Sequence, residues 1–87
     1  MVKGHEKINI AFVIDKHIHN AKKNWIVACR CRSVESMAVN SSIIYHLLEI
    51  KQELGLLTEK AYYEQLVTFD NWKKEKSFSY IGGTYGR

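Results

Sequence analysis

Two hydrophobic rhythms share this chain, one of period two and one of period three to four. From Lys7 to Asp15 the residues KINIAFVID set Ile8, Ile10, Phe12 and Ile14 against Lys7, Asn9, Ala11, Val13 and Asp15, the alternation of a half-buried strand. Trp25 to Arg32 repeats it, with Trp25, Val27, Cys29 and Cys31 against Ile26, Ala28, Arg30 and Arg32. The polar stretch Lys16 to Asn24 between them is too short for a parallel crossover, so the pair predicts an antiparallel hairpin. Beyond Ser33 the rhythm changes. Ile43, Leu47, Ile50 and Leu54 recur at spacings of four, three and four, widened by Ile44 and Leu48, which predicts a helix over 34–54 with one apolar stripe. Ser33 can cap it with Glu35 in its first turn, and the weakly helical VNSS leaves open a restart at Asn40 or Ser41.

Gly55 then supplies a residue that tolerates positive φ past a helix end, and Thr58-Glu59 supplies an N-cap and a first-turn carboxylate. The next helix carries Tyr62, Leu66 and Phe69 on one face, with Tyr63 and Val67 beside it, and is expected to end near Trp72. After the charge run KKEK, the segment SFSYI (77–81) predicts a short third strand with Phe78 and Tyr80 on one side. Gly82 and Gly83 break it, leaving 82–87 as a flexible tail. The expected fold is a single α+β domain over 1–81, an antiparallel β-hairpin packed against an antiparallel two-helix hairpin. Its predicted core is Ile10, Phe12, Trp25, Val27, Leu47, Ile50, Leu54, Leu66 and Phe69.

Within residues 43–69, Leu47, Ile50, Leu54, Gly55, Leu56, Leu57, Thr58, Glu59 and Tyr62 form a pattern of spaced leucines, glycine, two aliphatics, Thr-Glu and an aromatic. This resembles the SHOCT-type short helical hairpin. The resemblance implies two helices joined by a tight turn over about a third of the chain, in a hairpin of a kind associated with self-association.

Eighty-seven residues suffice for one domain and are too few for two. A composition of 46% hydrophobic and 25% charged residues is that of a folded globule. No apolar run approaches membrane-spanning length and MVKGHEKINI lacks a secretory pattern, so a cytoplasmic location with no membrane partner is expected. Cys29, Cys31 and the histidines His5, His17, His19 and His46 raise the question of a metal. In the predicted hairpin the cysteines face the core and His17 and His19 sit at the tip, so they do not converge. No base is placed beside a thiol, Ser41-Ser42 lacks an elbow context, and Gly82-Gly83 lacks the residues of a phosphate loop. The expectation is a non-enzyme with no metal, no cofactor and no small-molecule substrate.

Charge placement carries the functional reading. Residues 1–33 hold seven basic and two acidic side chains, residues 34–70 two and six, and residues 71–87 four and one. In the predicted fold Lys7, Lys16, Lys22, Lys23, Arg30 and Arg32 form a basic sheet face opposite an acidic helical layer. Such a face suits nucleic acid or a nucleoprotein, and the order strand, helix, helix is that of ribbon-helix-helix proteins. The alternative is a protein-binding inhibitor or regulator of the phage or mobile-element type, acting through the sheet face or through Phe78, Tyr80, Tyr85 and Arg87. A wide apolar arc on the first helix and a small core point to a homodimer.

Overall fold

The computed structural model describes residues 4–79, with side chains from Asn9 onward, and this part of the chain is all-α. Three helices follow one another: α1 (Gly4–Arg30), α2 (Val34–Glu53) and α3 (Glu59–Ser77). The expected α+β architecture is therefore corrected. Both expected strands, 7–15 and 25–32, lie within α1 or the turn that follows it, and the segment expected as a third strand begins inside α3. With no strand among the described residues there is neither a hairpin nor a sheet face.

The physical reason is a second period hidden in the first. Ile14, Ile18, Ala21, Trp25 and Ala28 are spaced four, three, four and three apart, and they form the inward side of α1: Ile14, Ala21, Trp25 and Ala28 are buried and Ile18 packs on the core. The alternating residues Phe12 and Val27, expected inside, are 70% and 58% exposed. Nothing between Lys16 and Asn24 is a glycine, a proline or an Asn-Gly pair that would force a turn. Burial of the helical row against two partners then outweighs the β-propensity of single residues.

The turns follow from local hydrogen bonds. At the end of α1, the Ser33 N–H donates to the Ala28 carbonyl at 2.9 Å and the Arg32 N–H to that of Cys29 at 3.1 Å, with Arg32 at φ 57°. At the end of α2, the Leu56 N–H donates to Lys51 at 2.8 Å and the Gly55 N–H to Gln52 at 3.0 Å, with Gly55 at φ 76°. Both are Schellman caps, one built on the glycine the conformation favours and the other on an arginine. Ser33 and Thr58 accept from the N–H groups of Ser36 and Ala61, at 3.3 and 3.1 Å, and start α2 and α3. Helix α2 runs through Asn40 without a restart, the Asn40 amide donating to the Ser36 carbonyl at 2.8 Å.

The helices run up, down and up. Lys51 on α2 donates to Asp15 on α1 at 2.8 Å. Ala21 meets Ile44, Leu48 and Phe69 in the core, with Ile18, Tyr45, Leu57, Tyr62, Leu66 and Trp72 packed around them. Trp25 meets Trp72 with ring centroids 5.3 Å apart, and Cys29 bonds with the Ser77 side chain. So α1 is antiparallel to α2 and parallel to α3. Within α2 the buried row is Ile44, Leu48 and Lys51. The stripe expected to be buried, Ile43, Leu47, Ile50 and Leu54, lies on the next face round, with Ile43, Ile50 and Leu54 between 42% and 45% exposed. Of the expected core, Trp25 and Phe69 are buried and Ile10, Leu47 and Leu66 are half-buried.

Candidate nucleic-acid interface

Once the helix directions are known, the charges sort along the length of the molecule. One end comprises α1 from Lys22, the turn into α2, α2 as far as Ile44, and α3 from Asp70. It holds seven basic residues (Lys22, Lys23, Arg30, Arg32, Lys73, Lys74, Lys76) and three acidic ones (Glu35, Asp70, Glu75), a net of +4. The other end, residues 9–21 and 45–68, holds Lys16, Lys51 and Lys60 against Asp15, Glu49, Glu53, Glu59 and Glu64, a net of −2. Among the residues with described side chains the charge is polarised end to end, which corrects the expectation of a basic layer over an acidic one.

At the basic end an opening lies between α2 and α3, with Trp25 of α1 among its lining residues. The opening is a groove of about 830 Å³ lined by Trp25, Val34, Met37, Ala38, Ser41, Asp70, Lys73, Lys74, Ser77 and Phe78. Val34 and Phe78 stand on its rim, 77% and 73% exposed. Two of the cations are held by aromatic rings. The Lys22 ammonium lies 5.3 Å from the centre of the Trp72 ring. The Lys73 ammonium lies 4.8 Å from Tyr45 and 4.9 Å from Phe69, donates to the Tyr45 hydroxyl at 2.7 Å and stands 3.7 Å from Asp70. The Tyr45 hydroxyl itself donates to Asp70. Lys73 is thus largely compensated. Lys23, Arg30, Arg32 and Lys74 are exposed.

Each expected site residue has a definite place. Lys22, Lys23, Arg30 and Arg32 come together at the basic end, on the last turns of α1 and the turn after it. Lys16 is exposed further up α1, within the acidic half. The Lys7 backbone belongs to α1, and its side chain lies outside the described residues. Phe78 closes α3 and shares the groove with Lys73 and Lys74. Tyr80, Tyr85 and Arg87 lie outside the described residues. What sequence reasoning missed is Lys73, Lys74 and Lys76, taken for a solvated charge run. The readable signal was the absence of any helix breaker between Trp72 and Ser77.

The cysteines, expected on one face, part company. Cys29 is buried in α1 and Cys31 is exposed beyond its end. Burial pushes the Cys29 thiol above its ordinary pKa, and the hydrogen bond with Ser77 works against that shift. A thiol so placed stays protonated at neutral pH and is a poor nucleophile. Among the described residues, no three His, Cys, Asp or Glu side chains gather as a metal site would require, and no helix is long and apolar enough to cross a membrane.

No protein-family model, curated protein or solved structure matches the chain. The segment resembling the SHOCT hairpin is a helical hairpin here, with its turn at Leu54–Thr58, an arrangement common to any two antiparallel helices.

Proposed function

We propose that this protein is a non-enzymatic nucleic-acid-binding module that takes a single strand at its basic end. The observation that carries the reading is the gathering of seven basic residues at one end of the three-helix arrangement, two of which, Lys73 and Lys74, line an apolar groove that the exposed Phe78 also lines. Lys23, Arg30, Arg32 and Lys74 would contact backbone phosphates, which supply affinity without sequence preference. Phe78 would stack on an unpaired base, and Val34 and Met37 would cover its edge. The acidic half of the molecule repels a polyanion and so orients it.

A second reading, a regulator that binds a protein, draws on the same groove, because Val34 and Phe78 are large, apolar and mostly exposed. Salt separates the two. Anisotropy of a fluorescent single-stranded oligonucleotide, titrated between low and moderate salt, should give a log–log slope of about −3, for four phosphates neutralised on a single strand. Phe78→Ala should weaken binding by about 1–3 kcal/mol with that slope unchanged. Absence of binding at low salt, or a slope near zero, refutes the nucleic-acid reading and leaves the protein-binding one.

A further inference from the structure

Helix α2 carries two apolar rows, and only one of them has a partner among the described residues. Ile44 and Leu48 face α1 and α3. The other row, Val39, Ile43, Leu47, Ile50 and Leu54, runs for about 22 Å along the helix. Four of its members are 57%, 43%, 42% and 45% exposed in that order, Leu47 being the half-buried one. Val39, Ile43 and Leu47 border a shallow depression with Ser42 and His46. Single exposed apolar residues are ordinary on a protein surface; five in a row at spacings of four, four, three and four are the seam of a helix-to-helix contact.

We propose that this row is the interface of a homodimer in which α2 packs antiparallel on α2 of a second copy, so that the two α1–α2 pairs complete a four-helix arrangement. Two features of the molecule select a second copy and this direction. The row is self-complementary about Leu47: turned end for end, Val39 meets Leu54, Ile43 meets Ile50, and Leu47 falls near its own counterpart, as an isologous contact requires. The charge of the molecule is also self-complementary in this direction, because the +4 end of one copy lies beside the −2 half of the other. A parallel pairing would set the two basic ends side by side. A row of this length exposes on the order of 400 Å² per copy, about 800 Å² for the pair, which falls among the small, weak contacts below the standard size. The dimer is accordingly weak, and it leaves the groove between α2 and α3 open at both of its ends. This inference does not depend on what the groove binds.

The test is sedimentation equilibrium of the full chain from about 1 µM to about 1 mM. The mass should rise from 10.1 kDa toward twice that value, and Ile43→Asp with Ile50→Asp should abolish the rise. Circular dichroism confirms that the variant is folded, since both side chains are partly in water already. Direction is read by cross-linking in a Cys31→Ser background, with Val39→Cys and Leu54→Cys made separately. An oxidised mixture of the two should contain the 39–54 disulfide in excess over both like pairs. A mass constant at 10.1 kDa, self-association retained by the folded double variant, or an excess of like-paired disulfides overturns the proposal.

Discussion

Replacing Leu47 and Leu48 by alanine, one at a time, asks which face of α2 is inside. The residues are adjacent and chemically identical, and each substitution gains the same small helix propensity, so a difference between them reports burial alone. Leu48 is 3% exposed, in a cluster with Ala21, Ile44 and Phe69. Truncating it removes the transfer free energy of the lost carbons and leaves a cavity that three helices cannot collapse, a cost of about 3 kcal/mol. Leu47 is half-buried on the outer row; with water already at its side chain, the cost falls to about 1 kcal/mol. At about 0.05–0.15 kcal/mol per residue, the whole domain has a stability on the order of 4–13 kcal/mol. Leu48→Ala should therefore lower Tm by roughly 12–24 °C and Leu47→Ala by roughly 4–8 °C. Urea denaturation at low protein concentration, where self-association does not contribute, measures both. Equal midpoints, or the larger loss at Leu47, would refute the assignment of the α2 faces.

Three further outcomes follow from single contacts. Arg32→Gly relieves a left-handed backbone at an L-residue, so it should stabilise the protein by about 1 kcal/mol; a loss of stability would mean that the side chain contributes more than the strain costs. Asp15→Asn strands the buried ammonium of Lys51, whereas Lys51→Met removes the charge and keeps the stem. The first should therefore be the more destabilising, by about 1–2 kcal/mol after allowing for the exposed carboxylate, and the reverse order in thermal melts would contradict this. At neutral pH a thiol reagent should label Cys31 quickly and Cys29 only on unfolding. Because the Cys29 pKa is raised in the folded state, its contribution to stability is full below the unfolded thiol pKa and is lost as pH climbs from there toward the folded value. Comparison of the parent with Cys29→Ala across that alkaline range checks the sign.

What the sequence disclosed was local and what it concealed was spatial. Ser33, Gly55 and Thr58 are recognisable because capping is a matter of a few adjacent atoms, and the structure uses all three as expected. The extent of α2 was legible for the same reason. Its buried face was not, because α2 is apolar on two sides and periodicity cannot say which side meets α1. Helix α1 was misread because β-branched and aromatic residues alternate at both ends of it, while the row Ile14, Ile18, Ala21, Trp25 and Ala28 includes two alanines that look unremarkable as core. Its end was hidden by Arg32, standing where a glycine would have announced a cap. The candidate interface was half legible: Lys22, Lys23, Arg30 and Arg32 were singled out together with Lys7 and Lys16, but on the face of a sheet that the described residues do not form. Lys73 and Lys74 join them only through the parallel course of α1 and α3, which no local pattern encodes.

Nucleic-acid binding at the basic end depends on where the positive charge lies, and two double variants of equal net charge test that directly. Lys23→Glu with Lys74→Glu changes the basic end, and Lys16→Glu with Lys60→Glu makes the same change in formal charge in the acidic half. If the basic end is the interface, the first pair should lower affinity for a single-stranded oligonucleotide by at least about tenfold, or 1.4 kcal/mol, relative to the second at one low salt concentration. Equal losses from the two pairs would show that net charge alone drives the binding and would contradict the assignment of a site.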